Sequence, residues 1–139
     1  MNLKKSTQKG ERRFTERFYI PEGIAYFRYL RRFRLIHNFN GPFPMYDIAS
    51  NSARFECSRE INIPSDIELR IKPPGYYEEL RIKGKVIRQA GVKQQQARAY
   101  VIQFSPFGRG FQYNSLQCKA RLDQYIQKMK TKKTSDQTD

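Results

Sequence analysis

Through the middle of the chain, apolar and polar residues alternate with a period of two. Ile67, Leu69 and Ile71 point one way while Glu68, Arg70 and Lys72 point the other. Leu80, Ile82 and Val86 stand against Arg81, Lys83 and Lys85, with Gly84 between them, and Tyr100, Ile102 and Phe104 make a third such face. Successive side chains of a strand leave on opposite sides, so this period predicts antiparallel strands with one face buried and one in water. Residues 24–30, rich in aromatics, read as a first strand, with a bulged continuation through Leu35 left open. Shorter strands over 45–49 and 53–57 flank a turn of small residues, Ser50-Asn51-Ser52. Connections are expected at 38–44, which contains Asn40-Gly41-Pro42, at Pro73-Pro74-Gly75 and at 91–96.

The period then changes. Cys118, Leu122, Tyr125, Ile126 and Met129 fall on one stripe of a helix, with Asn114 or Ser115 placed to cap it. About six strands followed by one amphipathic helix predict an all-β fold with one helix, a six-stranded antiparallel β-barrel with the helix laid against it. Residues 1–12 hold little that could be buried and read as a flexible basic arm. Residues 13–130 read as a single domain and 131–139 as a disordered tail.

Composition narrows the class. A length of 139 residues suits one domain with a real core. The mean hydropathy of −0.82 reflects 27 Lys and Arg against 13 acids and does not imply disorder. A net charge of +14 points to anionic partners such as a nucleotide, nucleic acid or an acidic membrane, or to no more than a well-solvated surface. Cys57 and Cys118 are too few and too far apart for a disulfide framework or a zinc cluster, and are expected to be buried thiols in a reducing compartment. The N-terminus lacks the apolar run of a signal peptide, and no window approaches a membrane span, so a cytoplasmic location is expected.

Catalysis has little to work with. His37 is the one histidine and stands beside Asn38 in a turn-rich stretch, where surface histidine is the ordinary reading. No glycine-rich phosphate loop opens a helix, and no carboxylate or thiol set has metal spacing. Glu78 and Glu79 are adjacent, so their side chains diverge. The chain does not read as an enzyme, and neither a metal nor a cofactor is expected.

Arg13 and Arg17 carry more information. Each guanidinium can donate two parallel bonds, to guanine O6 and N7 or to two phosphate oxygens, and a spacing of four sets them on one side of the segment. Arg28 and Arg32 share that spacing but lie on a predicted strand face and its continuation, where solvation explains them. Asp47 ends a short strand at the small-residue turn. A carboxylate there can accept from guanine N1–H and N2–H₂, a pair that adenine lacks; the plain alternative is an Asp capping its own turn.

Together these stretches resemble the PilZ domain family, which carries RxxxR ahead of its first strand and [D/N]xSxxG at the turn between its second and third. The likeness covers about residues 11–128. Arg13 and Arg17 match both arginines and Asp47 matches the acidic position, with the apolar step at Phe55 fixing the register. Ala49 stands where the family has Ser, and Ser52 where it has Gly. The resemblance implies a six-stranded barrel with a C-terminal helix that binds cyclic di-GMP. The ligand would order the N-terminal arm over the barrel and so signal to a partner protein. Arg12 would take a phosphate, and Ser50, Asn51 or the hydroxyl of Ser52 would replace part of the missing phosphate contact.

The two departures are expected to cost about 1.5–3.5 kcal/mol, from a lost hydroxyl and from strain if the Gly position needs positive φ. That cost opens an alternative, a PilZ module that keeps the barrel, does not bind cyclic di-GMP and works as a protein-interaction adaptor. A third reading is a basic barrel for nucleic acid, with Tyr26, Phe27 and Tyr29 as stacking platforms, although aromatics in strands are more often core.

Overall fold

The computed structural model describes residues 16–20, 22–30, 38–75, 78–90 and 98–138. Seven strands are formed among the described residues: β1 (Phe18–Tyr19), β2 (Ile24–Tyr29), β3 (Asn40–Ile48), β4 (Ser52–Cys57), β5 (Ser65–Lys72), β6 (Leu80–Ala90) and β7 (Arg98–Phe104). One helix among the described residues, α1 (Leu116–Thr138), follows them. All pairings between strands are antiparallel, in the order β3-β2-β5-β6-β7-β4, and β4 returns to β3. The sheet is therefore a closed six-stranded barrel with β1 as an extra strand, and closure leaves its hydrogen bonding without a long open edge.

The alternation read from the sequence is what fills the barrel. Ile67, Leu69, Ile71, Ile82, Val86 and Ile102 are each at most 1% exposed, while their neighbours in the strands face outward. Tyr100, also fully buried, accepts a hydrogen bond from Ile61 N at 2.9 Å and donates to Arg59 O at 3.3 Å, which ties the β4–β5 connection to the core. Leu122, Tyr125 and Ile126 of α1 belong to the same core, and Cys118 and Met129 pack on it, so the helix closes the barrel with the predicted stripe. Ser115 is the cap: its Oγ accepts from Cys118 N at 3.0 Å.

Two stretches differ from the expectation. Residues 40–44, predicted as a turn, are the first half of β3, paired through Ile24↔Pro44, Ala25↔Phe43 and Phe27↔Asn40. Pairing with β4 begins only at Met45, so this half has a partner on one edge, where proline is tolerated. Gly41 permits it: at φ 144°, an added Cβ would stand 2.8 Å from Ala25 O. The second stretch is 131–138, predicted as tail, where the helical backbone continues to Thr138 with no Gly or Pro to stop it. The proposed continuation of the first strand beyond Leu30, the N-terminal arm and His37 fall outside the described residues.

Gly84 is required by a close approach between strands. A Cβ there would lie 2.6 Å from Gln103 O and 2.8 Å from Ile102 Cγ2. We expect Gly84→Ala to lower the unfolding free energy in urea by about 2 kcal/mol or more, a typical cost of forced overpacking. An unchanged midpoint would contradict this packing.

Cys57 is buried and Cys118 half-buried, the latter donating its S–H to Arg81 O at 3.2 Å. Burial pushes both thiols above their ordinary value of 9.0. The neutral thiol is then the folded form, so its stabilisation is complete below the unfolded value of 9.0 and is lost as pH rises through the higher folded value. Denaturation midpoints should fall above about pH 9, and Cys57→Ala should reduce that fall relative to the parent.

Candidate functional site

The β3–β4 hairpin fixes the site. Ala49 N donates to Ser52 O at 2.8 Å and closes the turn, which places Ile48 opposite Ala53 and Asp47 opposite Arg54. Ala53 and Phe55 face the core, so Ser52 and Arg54 alternate onto the outer wall. A register shift between Met45 and Asp47 leaves Tyr46 as the extra residue of a bulge. On the other edge of β3 lies β1, with Phe18 opposite Ile48 and Tyr19 opposite Asp47. Phe18 is a core residue, so Arg17 before it is turned outward, toward the hairpin.

Four side chains meet there, and Arg17 comes from 30 residues before Asp47. Arg17 Nη1 donates to Asp47 Oδ1 at 2.7 Å, and Arg17 Nη2 donates to Ser52 Oγ at 2.6 Å. Arg54 Nε donates to both Asp47 oxygens at 3.0 Å, and Arg54 Nη2 donates to Asp47 Oδ2. Asp47 is only 4% exposed, and its charge is met by two cations. The same contact holds the Arg54 guanidinium above its ordinary range, chiefly through the hydrogen bond to Asp47. Arg54 also lies over the Tyr46 ring at 4.7 Å, and Tyr46 meets Tyr19 edge to face at 5.5 Å. Both tyrosines are well exposed, so the site has an aromatic border.

Of the residues singled out from the sequence, Arg17, Asp47 and Ser52 come together. Ser50 and Asn51 occupy the exposed tip of the turn, beside that set of bonds, and Asn51 O accepts from Phe104 N at 2.9 Å. Arg12 and Arg13 lie outside the described residues. Among the described residues no non-glycine has positive φ, so Ser52 sits without the strain that a Gly-demanding position would impose. Ala49 is fully buried. Arg54 was not among the sequence candidates, although counting outward from the Ala49–Ser52 turn sets it across from Asp47, and opposite charges in that position stabilise a hairpin.

Chemically, the site presents two cations for one anion. A guanidinium has five N–H donors, and Arg17 spends two of them here, so donors remain for an anion from solution. Among the described residues no three His, Cys, Asp or Glu side chains are grouped to hold a metal. Recesses of about 450 and 440 Å³ border α1 instead; both are lined by Glu78 and Arg121, which pair with each other at 3.2 Å. Compared with models of protein families, with curated proteins and with solved structures, the chain matches none.

A double-mutant cycle should rank the two ion pairs. Arg54, held through three bonds to the carboxylate, is expected to couple to Asp47 more strongly than Arg17 does, by about 1 kcal/mol. Equal coupling energies from urea unfolding would contradict the geometry.

Proposed function

We propose that the chain is a cyclic di-GMP receptor of the PilZ type, a binding protein rather than an enzyme. The observation that supports this reading is the bond set of Arg17. The second arginine of RxxxR donates to the acid and to the last position of the DxAxxS stretch, so the two motifs adjoin although 30 residues separate Arg17 from Asp47. A ligand carrying guanine edges and phosphates would find the groups that recognise both. The Arg17 fork would serve O6 and N7 or a phosphate, and Asp47 would serve N1–H and N2–H₂. Arg12 and Arg13, on the segment before β1, would supply further phosphate contacts.

Binding of this kind is an exchange. Guanine donors compete with Arg17 and Arg54 for the same two carboxylate oxygens, so swapping one charge-assisted bond for another gains little net energy. Affinity must come from phosphate neutralisation and from stacking, and the freed Arg17 must find its new partner on the ligand. Removing Arg17 from Asp47 also loosens what holds the two-residue β1 against β3, which gives a route by which the arm ahead of it changes position and is read by a partner protein.

The same bonds favour a second reading. With Asp47 and Ser52 satisfied by the chain's own arginines, the set can serve as a clasp that keeps β1 in place, and the domain would then act as an adaptor without cyclic di-GMP.

Calorimetric titration with cyclic di-GMP, cyclic di-AMP and GTP separates the two. The receptor reading expects preference for cyclic di-GMP and a loss of roughly tenfold or more in Arg13→Ala and in Arg17→Ala. Ser52→Gly, which releases Arg17 from its second bond, should tighten binding severalfold. A folded sample with no affinity at high micromolar ligand assigns the adaptor role instead.

A further inference from the structure

The connection from β7 to α1 is clamped to the barrel and yet ends in an exposed apolar tip. Asn114, 4% exposed, is the clamp: its Oδ1 accepts from Lys83 N at 2.7 Å, and its Nδ2 donates to Lys83 O and Ser105 O, both at 3.0 Å. Backbone bonds from Asn114 N to Pro106 O (2.8 Å), from Gly108 N to Asn114 O (2.9 Å) and from Tyr113 N to Gly110 O (3.1 Å) fix the turn, and Lys83 Nζ donates to Phe111 O. A loop so tightly bonded could have turned its aromatic inward, as Phe107 does against the core. Phe111 instead stands 88% exposed, with Leu116 at 62% and Tyr113 at 37% beside it in the chain.

We propose that this tip is an insertion point for the surface of an anionic lipid bilayer. Basic residues dominate around it: Arg109 is exposed within the turn and Lys83 lies beneath it, the acids Glu78 and Glu79 beside Ser115 and Gln117 are paired with Arg121 and Arg70, and the chain as a whole carries +14. A second copy of the chain would bring the same charge and be repelled, so the complement is anionic. The exposed area of the three side chains is roughly 350 Å², on a scale of 150–250 Å² for a whole aromatic side chain. A stable protein interface takes about 800 Å² per partner, so this patch is small for a protein dock. Shallow membrane attachment has no such minimum: a few apolar side chains enter the headgroup boundary, and basic residues supply the rest. Aromatic side chains are suited to that boundary. The attachment is peripheral, since no helix among the described residues is long and apolar enough to cross a membrane.

The test is co-sedimentation of the full chain with vesicles of phosphatidylcholine mixed with phosphatidylglycerol, and with phosphatidylcholine alone, at physiological salt. The mixed vesicles should retain the protein and the neutral ones should not. Phe111→Ser, at a position without core contacts, should fold as the parent does and partition roughly tenfold more weakly, as the burial of one aromatic side chain implies. Phe111→Trp places a lone tryptophan in a chain that has none, and its emission should shift to the blue on adding mixed vesicles. Absence of retention, retention unaltered by Phe111→Ser, or an indole emission of the Phe111→Trp variant that does not move would each overturn the proposal. So would a Phe111-dependent dimer in sedimentation velocity, which would make the tip a contact between copies.

Discussion

A carboxylate that sits almost out of water in a barrel wall needs cations from its own chain, and Asp47 draws two of them. Arg54 comes from the neighbouring strand by hairpin register, and Arg17 from the segment that precedes β1. Removing either leaves a buried charge short of a partner, which costs more than the pair contributes when intact. β1 is only two residues long and pairs with β3 alone, so the Arg17 bonds add to the core burial of Phe18 and Ile20 in holding it. Placement of β1 is thereby coupled to the company that one acid keeps.

The barrel supplies the geometry for that coupling. β3 has β4 on one edge, and on the other β2 and then β1, with Met45 N donating to Gly23 O at 2.9 Å and Ile20 N to Tyr46 O at 3.2 Å where the two meet. The bulge at Tyr46 lets Asp47 follow an exposed residue and still lie against Arg54. A straight strand would have kept strict alternation and moved the acid relative to both arginines. The candidate site on this fold thus lies at a local irregularity of a regular wall, at the edge where barrel closure and the extra strand coincide.

Much of this was legible beforehand, for identifiable reasons. Ile67-Glu68-Leu69-Arg70-Ile71 could form only a half-buried strand, and Leu122, Tyr125 and Ile126 could share a face only on a helix. Asp47 and Arg17 stood out by residue type and spacing, and the fold brings the two side chains into contact. Asn40-Gly41-Pro42 misled because its residues are those of turns; their strand conformation depends on tertiary pairing with β2, which no local pattern reports. Arg54 was hidden among many basic residues and is distinguished only by standing opposite Asp47. Ser52 looked like a defect because φ cannot be read from sequence, and in the fold its hydroxyl has a defined partner.

Two surfaces of the domain consequently carry recognisable chemistry, the guanidinium–carboxylate set at the β3–β4 hairpin and the exposed tip before α1. On the receptor reading, Arg17 trades Asp47 and Ser52 for a ligand at the first of these, while Arg54 shares Asp47 with the guanine edge. Side-chain Nε–H resonances of ¹⁵N-labelled arginines, followed during titration with cyclic di-GMP, observe that trade directly. A saturable shift of the Arg17 resonance is expected, larger than that of Arg54, whose Nε–H also faces Asp47. An Arg17 resonance indifferent to ligand, in a sample whose other signals show binding, would contradict it.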